Sequence, residues 1–259
     1  MNKLEYNQGR EIISPKMPEP LRKKWTGKRK AGIICICAGL LLAFLLSPVF
    51  DVADIRVNGT DKIPVESAIS ASGIVKGASI FKVNPGKIES KLTTMAYVDT
   101  VEVKRKFPSV VEINITESRE AAYIYFIGNY VGIDENGKIL EIKQSAEDVA
   151  LPVIVGTNVT EFGIGNMIKI DDEDKQKTVF DIVKQLGTAE IRDSIKTIDV
   201  FDLNDIRFFT ISEATVNMGS MDDMIYKIAF LKKILEDNGD NRGAFIDMTN
   251  TDKVTVRGS

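Results

Sequence analysis

Histidine is absent from this 259-residue chain, and its two cysteines, Cys35 and Cys37, lie close together near the N-terminus. The stretch around them carries no charge, so we interpret both as apolar fillers of a helix, with palmitoylation as a minor alternative. The rest of the chain therefore has no disulfide, no Ser-His or Cys-His nucleophile and no His/Cys zinc ligands. Carboxylate chemistry is the enzyme class that stays open.

A run of four acidic residues, 171–174, is the obvious candidate for a metal site. It lacks the alternating ligands and the central glycine of a calcium loop. Carboxylates suit the positive N-terminus of a helix, so we interpret the run as the cap of the helix that follows. We predict no catalytic residue, no metal, no cofactor and no small-molecule substrate.

Residues 31–50 form a run of 20 positions without a charge. With a rise of about 1.5 Å per residue, a helix of this length spans about 30 Å, the thickness of a hydrocarbon core. A buried core helix and a cleaved signal peptide are the alternatives. The run is longer than a signal core, and no small-x-small cleavage site follows it immediately. We predict an uncleaved transmembrane helix over residues 31–50.

Positive charge is concentrated ahead of this run. Residues 1–30 hold 9 basic and 3 acidic side chains, whereas the remaining residues hold 25 basic and 34 acidic ones. The positive-inside rule predicts a cytoplasmic tail over residues 1–30 and an acidic domain outside the cytoplasm. An acidic domain argues against a nucleic-acid partner. We therefore interpret Lys104, Arg105 and Lys106 as the solvated end of a hairpin.

Residues 51–120 predict a β-α-α-β-β domain. An opening strand ends at Asn58-Gly59, and a short helix lies between Pro64 and Gly73. Asn84 suits the N-cap of a second helix. Two strands with alternating apolar residues follow and meet around residues 106–108, which gives a sheet with helices on one face.

Residues 121–259 predict a mostly antiparallel β domain with two helices. Its first hairpin contains Asn136-Gly137, a pair typical of a type I′ turn, and Pro152 limits the next apolar segment to an edge or a strand start. A helix is expected over residues 173–186, with Gly187 as its stop. A meander of three strands follows.

The second helix of this domain is marked by Ser220 and Asp223, which match a capping box. Helical spacing predicts an inner face of Met224, Ile225, Ile228, Leu231 and Leu235. Two short strands, at residues 244–248 and 253–257, then close the chain.

The closing strands leave a sheet edge, to which an extended segment of a partner can add by main-chain hydrogen bonds. The alternative is that the last strand merely completes the core. If the N–H group of Thr255 faces the edge, Thr255→Pro should weaken binding more than folding. The predicted partner-binding residues are Phe245, Ile246, Asp247, Met248, Val254, Thr255 and Val256.

These segments, in this order behind one N-terminal span, resemble the bacterial cell-division family FtsQ, called DivIB in many Gram-positive bacteria. The resemblance rests on "DIRVNG", "YVDTVEVKRKFPSVVEINITES", "GIDENGKIL" with "LPVIVG", and "VNMGSMDDMIYKIAFLKKIL" ahead of "FIDMTNTDKVTV". Ala96 stands where a proline is common, and "ESREAAY" replaces the usual Glu-Arg-x-Pro. These departures affect where the two domains join.

The resemblance implies an α+β chain with one transmembrane helix, a POTRA-like domain over 51–120 and an FtsQ/DivIB-type β domain over 121–259. It implies a non-enzymatic scaffold in the bacterial cell membrane at the division septum. Its partners would be single-span proteins of the FtsL type and the FtsB/DivIC type, and it would help control septal peptidoglycan synthesis. A POTRA-bearing translocation or chaperone-like factor is the alternative, and a membrane-anchored carboxylate hydrolase is a third interpretation.

Overall fold

A computed structural model describes residues 27–237 and 242–258. It divides into two compact units, one ending at Ser47 and the other beginning at Pro48. The predicted cytoplasmic tail lies almost entirely outside the described residues.

The first unit contains helix α1 (Gly27–Leu45). The predicted span over residues 31–50 is therefore helical only as far as Leu45, and Pro48–Phe50 form a 3-10 turn. Proline lacks an N–H donor and disfavours the helical conformation of the residue before it, which accounts for the early end. Three basic residues occupy the start of α1. No helix in the described ranges combines the length and the apolarity needed to cross a membrane.

The second unit begins with a module that we call the βααββ module. Its elements are β1 (Asp54–Asn58), α2 (Val65–Ser72), α3 (Pro85–Leu92), β2 (Val98–Lys106) and β3 (Val110–Glu117). The strand order is β1-β3-β2, with β1 parallel and β2 antiparallel to the central β3. This is the predicted element order.

Local signals fix the ends of the two helices in this module. Gly73 ends α2 in the left-handed conformation, with φ 70°. The side chain of Asn84 accepts a hydrogen bond from the N–H of Lys87 at 3.2 Å and so caps α3. Both ends agree with the sequence prediction, because each terminus carries a residue that satisfies or replaces an unpaired backbone group. The core between helices and sheet is fully buried at Ile80, Leu92, Val98, Val111 and Ile113.

The large-sheet module follows. Its nine-stranded sheet contains β4 (Ala122–Phe126), β5 (Asn129–Ile133), β6 (Ile139–Lys143), β7 (Val153–Val155), β10 (Ile195–Asp199), β11 (Ile206–Thr210), β12 (Thr215–Gly219), β13 (Phe245–Asp247) and β14 (Thr255–Arg257). Strands β8 (Val159–Glu161) and β9 (Lys169–Ile170) form a separate pair, and the helices are α4 (Glu173–Ala189) and α5 (Met224–Asp237).

The sheet order is β14-β13-β12-β11-β10-β7-β4-β5-β6. Five of the neighbouring pairs are antiparallel, and β4–β7, β7–β10 and β12–β13 are parallel. The α+β class with a mostly antiparallel β domain is therefore confirmed. Pro152 stands just before β7, so the prediction of a strand start holds, although β7 lies in the middle of the sheet.

The predicted type I′ turn at Asn136-Gly137 is wrong. That turn type needs positive φ at both central residues, and here Gly137 (φ 86°) has it but Asn136 does not. The carboxylate of Asp134 accepts hydrogen bonds from the N–H groups of Asn136 and Lys138, each at 2.9 Å, and so imposes a wider loop. A two-residue turn with positive φ occurs instead between β4 and β5, at residues 127 and 128.

Helix α4 is capped as predicted, because the Asp172 side chain accepts a hydrogen bond from the N–H of Lys175 at 3.0 Å. The predicted stop at Gly187 is wrong, since α4 continues to Ala189 and ends at Glu190 with φ 59°. The absence of a side chain at Gly187 instead leaves space for the side chain of Arg192. A Cβ atom there would lie 2.2 Å from a guanidinium nitrogen of Arg192.

Helix α5 departs further from prediction. It begins at Met224, and Asp223 has φ 54°, so Ser220 and Asp223 form no capping box. The predicted inner face is confirmed at Met224, Ile228 and Leu231, which are buried, and at Leu235, which packs against the core. Ile225, also predicted to face inward, is 72% exposed.

Lys227 is also buried on the inner face of α5. Its ammonium donates to the carbonyl oxygens of Met218 at 2.8 Å and Ser220 at 3.1 Å, at the end of β12. These bonds satisfy a buried charge, and burial lowers the pKa of Lys227. Hydrophobic spacing does not reveal a lysine in that position.

Polar contacts join the two modules, whose hydrophobic cores are separate. Lys138 donates its Nζ protons to the carbonyl oxygens of Thr93 at 2.7 Å and Val98 at 2.5 Å in the βααββ module. Gly165 has φ 87°, and a Cβ atom there would lie 2.4 Å from the carbonyl oxygen of Thr94. The backbones thus approach closely at this junction.

Candidate partner-binding edge

Strand β14 ends the large sheet. It pairs antiparallel with β13, in the register Phe245↔Arg257, Ile246↔Val256 and Asp247↔Thr255. In the described part of the chain, no strand pairs along its outer side. The predicted closing strands are therefore present, each three residues long, and the second of them is an edge.

The backbone direction along β14 follows from the bonds between β12 and β13. Thr215 donates its N–H to the carbonyl oxygen of Ala244 at 2.9 Å, and Met248 donates its N–H to the carbonyl oxygen of Asn217 at 2.8 Å. The backbone groups of residues 244, 246 and 248 therefore point to β12, and those of residues 245 and 247 point to β14, because successive residues of a strand alternate.

The partners of residues 245 and 247 on β14 are Arg257 and Thr255, so the N–H and C=O groups of these two point inward. The backbone N–H and C=O groups of Val254 and Val256 point away from β13, toward the open edge of the sheet. The N–H of Thr255 consequently faces the ladder, and Thr255→Pro is not a probe of the edge. Val256 is the position that offers a donor and an acceptor to an added strand.

The side chains at this edge divide into two groups. Ile246 and Met248 are fully buried, and Val254 packs against the core, so these residues hold the strands in place. Phe245 is 38% exposed and Val256 is 47% exposed. Val256 is on the same sheet face as its register partner Ile246, so the apolar core face continues to the rim of the sheet. An added strand would cover it.

Asp247 is engaged within the chain. Its carboxylate accepts hydrogen bonds from the hydroxyl of Thr249 at 2.7 Å and from the N–H of Thr249 at 3.1 Å. The hydroxyl bond is the main cause that holds the pKa of Asp247 below its ordinary value. This residue shapes the turn between β13 and β14. Arg257, which the sequence analysis did not select, is exposed on β14 opposite Phe245.

The other edge of the large sheet is protected. Ile139 of β6 donates its N–H to Asn166 at 2.8 Å, and Glu141 and Lys143 form an ion pair at 2.9 Å. Coverage by a loop and charged side chains both block pairing with a further strand. Strand β14 is the less protected of the two edges.

The long β2 edge of the small sheet is also occupied. The carboxylate of Glu89 accepts the N–H of Val103 at 2.8 Å, and Lys138 binds the carbonyl of Val98. These side chains satisfy backbone groups that an added strand would need.

The basic run at the end of the β2–β3 hairpin has a mixed role. Lys104 pairs with Glu102 at 2.6 Å and Lys106 pairs with Glu112 at 3.2 Å, and both lysines are exposed. Arg105 instead donates its Nε–H to the carbonyl of Val83 at 2.9 Å, in a half-buried position. The prediction of a solvated hairpin end is confirmed for the two lysines and is wrong for Arg105, which ties the hairpin to the segment before α3.

Two family models match the chain, one on each module. Residues 50–118 match "POTRA domain, FtsQ-type", and residues 122–249 match "Cell division protein FtsQ/DivIB, C-terminal". Among solved structures, the major extracytoplasmic domain of the trans isomer of DivIB from Geobacillus stearothermophilus matches with 18% identity and a TM-score of 0.31. That match covers 48% of this chain and 98% of the solved one.

Curated relatives share the same name, cell division protein DivIB. The Clostridium acetobutylicum protein is 27% identical over 75% of this chain and 76% of the relative. The Geobacillus kaustophilus protein is 32% identical over 55% of each chain. The protein from Clostridium botulinum strain Loch Maree is 24% identical over 88% of this chain and 89% of the relative.

A POTRA module followed by a C-terminal module of this type defines a class of bacterial cell-division scaffold proteins, which is not a known class of enzymes. The two matches together cover most of the chain, in the order that the class requires. The chain belongs to the FtsQ/DivIB family, and it is a cell-division protein of the divisome. This outcome favours the division function over the alternative of a translocation factor.

Proposed function

We propose that this protein is a membrane-anchored scaffold without a catalytic role, which holds other division proteins at the septum and helps control septal peptidoglycan synthesis. Residues 1–30 lie in the cytoplasm, and residues 31–50 carry the chain through the cell membrane. The domains over residues 51–120 and 121–259 lie outside. The uncharged run, the basic residues ahead of it and the family assignment support this arrangement.

A protease experiment tests the topology. Proteinase added to spheroplasts should remove the chain beyond residue 50 and spare residues 1–30, because only the outer part is accessible. Intact outer domains under conditions that digest a known periplasmic or surface protein would contradict the arrangement.

The partner segment, in this proposal, adds to β14 as a further strand. It comes from single-span proteins of the FtsL type and the FtsB/DivIC type, with the latter as the protein that contacts β14. The carrying observation is that the N–H and C=O groups of Val256 point out of the sheet while its side chain extends the core face. One added hydrogen bond contributes a net stabilisation of about 0.5–1.5 kcal/mol.

Substitution of Val256 separates backbone recognition from folding. Val256→Pro removes the outward N–H and should weaken capture of an FtsB/DivIC-type partner by roughly 2- to 10-fold. Val256→Thr keeps the N–H and the branched shape and should bind nearly normally. Thr255→Pro removes a bond inside the sheet and should lower the melting temperature more than Val256→Pro does.

Affinity is measured with the full-length chain in detergent, alongside its melting curve. Equal binding by Val256→Pro and the parent chain would reject strand addition at this edge. Retained binding by a folded deletion of residues 253–259 would do the same, and it would move the partner site to the βααββ module.

A further inference from the structure

Three phenylalanine rings form a cluster on the surface of the βααββ module. The ring centroids of Phe50 and Phe81 are 5.2 Å apart, and those of Phe81 and Phe107 are 5.6 Å apart. Phe81 is 41% exposed, Phe107 is 57% exposed, and nearby in sequence Val75 is 67% exposed. Contiguous apolar groups on a protein surface are a common feature of interaction sites. The proposed strand addition at β14 does not involve this cluster.

A cleft of about 340 Å³ lies between α2 and α3 of the same module. Three exposed lysines line it: Lys82, Lys87 and Lys91. No aspartate or glutamate is among the described residues that line it, and none of the three lysines takes part in an ion pair in the described ranges. Their charge is thus available to an external anion, unlike that of Lys104 and Lys106.

One segment, residues 74–82, contributes to both features. Val75 and Lys82 line the cleft, and Phe81 is the central ring of the cluster. Apolar rings beside uncompensated lysines are the combination that an interfacial protein surface presents to a lipid bilayer, where rings enter the headgroup region and lysines attract anionic lipids.

We infer that this face, defined by Phe81, Phe107, Val75 and the three cleft lysines, docks on the anionic surface of the membrane that anchors the chain. The inference rests on the proposed membrane anchoring. Chain length favours the bilayer over a distant ligand: Phe50 follows the end of α1 at Leu45 closely, and an extended chain spans at most about 3.5 Å per residue. Phe50, the first ring of the cluster, is also the last residue of the proposed membrane span over residues 31–50.

The test uses the full-length chain with one tryptophan moved to the cluster. The natural tryptophan, Trp25, is the only one in the sequence, so Trp25→Phe with Phe107→Trp gives a single reporter. The chain is reconstituted into vesicles of phosphatidylcholine alone or with phosphatidylglycerol, and flotation is recorded. Quenching by lipids brominated near the headgroup then measures whether the reporter enters the bilayer.

Docking predicts that quenching in anionic vesicles is at least about twofold stronger than in neutral vesicles, and that it falls at about 1 M salt, where the screening length is about 3 Å. Replacing Lys82, Lys87 and Lys91 by serine should remove the difference. The matched control replaces Lys177, Lys184 and Lys196, three exposed lysines of the large-sheet module, and should keep it.

A second reporter, Trp25→Phe with Phe201→Trp, lies in the large-sheet module, where Phe201 is 78% exposed. It should remain unquenched. If the chain floats with the vesicles but the reporter at position 107 is not quenched, docking is wrong while anchoring stands. If the chain does not float, anchoring and docking both fail. Equal quenching in neutral and anionic vesicles, or a fluorescence change caused by inorganic phosphate without vesicles, would overturn the assignment to an anionic bilayer.

Discussion

Replacing Gly165 by alanine tests how tightly the two modules are joined. Gly165 has φ 87°, a conformation that costs an L-residue roughly 1–2 kcal/mol. The new methyl group would also lie 2.4 Å from the carbonyl oxygen of Thr94, which belongs to the backbone of the other module. Since both overlapping atoms belong to backbones, relief requires one of the two turns to shift, at a cost in the range of overpacking, about 1–3 kcal/mol.

Gly128 provides the matched control. It also has positive φ, 77°, but a Cβ atom there would meet no other atom within 4 Å. Gly128→Ala therefore carries the backbone cost alone, and the difference between the two variants isolates the contact at the junction. For a folded unit of about 200 residues, each 1 kcal/mol lowers the melting temperature by about 2–4 °C.

Calorimetry measures the melting temperatures of the two variants and so tests the contact at the junction. Gly165→Ala should melt at least about 2 °C below Gly128→Ala, because the overlap adds at least about 1 kcal/mol. Limited proteolysis should also cut between residues 118 and 122 sooner in Gly165→Ala. Equal losses of melting temperature in both variants would refute the close approach of the modules.

Three further predictions concern polar side chains. Lys138→Met should lower the free energy of unfolding by about 2 kcal/mol in urea denaturation, because two carbonyl acceptors lose a charged donor; an unchanged value would contradict the junction. Burial, followed by the hydrogen bond to a carboxylate, raises the pKa of Tyr123 to about 12, so its stabilising effect is complete below its ordinary pKa of about 10 and is lost as pH rises toward 12. Tyr123→Phe should therefore flatten the fall in stability between about pH 10 and 12, and an unaltered profile would count against this. Arg105→Ser should destabilise the chain by about 1–3 kcal/mol, whereas Lys104→Ser with Lys106→Ser should change stability by about 0.5 kcal/mol or less; similar melting curves for the two would show that the arginine is as solvated as the lysines.

The element order of the βααββ module could be predicted because each boundary carries its own chemical signal. Gly73 supplies the left-handed conformation that ends α2, and Asn84 supplies the side-chain acceptor that begins α3. These signals act over three or four residues, so they do not depend on the rest of the fold.

Two turns could not be predicted from the types of their two central residues alone. Asn136-Gly137 has the right residue types for a two-residue turn, but the carboxylate of Asp134 accepts the N–H of Lys138, which such a turn would bond to the carbonyl of residue 135, and also the N–H of Asn136. A β-branched side chain disfavours positive φ, yet Ile127 adopts φ 44°. The β4–β5 register pairs Phe126 with Asn129 and so leaves only residues 127 and 128 to close the hairpin.

The candidate site was partly accessible to sequence reasoning. Alternation and chain position predicted the two closing strands, but they could not say which backbone groups face outward. That depends on the parallel pairing of β13 with β12, which places Thr255 inward and Val256 outward. A crossover through α5 separates those two strands in sequence, so no local signal reports their pairing.

Strand β14 is three residues long, has one neighbouring strand among the described residues, and is exposed at Val256 and Arg257. Local opening costs least where few buried contacts hold a segment, so its amide protons should exchange with solvent far faster than those of β10 in the middle of the sheet. A segment that binds the closed strand and not the frayed one raises the closed population by mass action. Under the proposed strand addition, the partner would therefore shift β14 toward its paired state, and added partner should slow the exchange of the β14 amide protons.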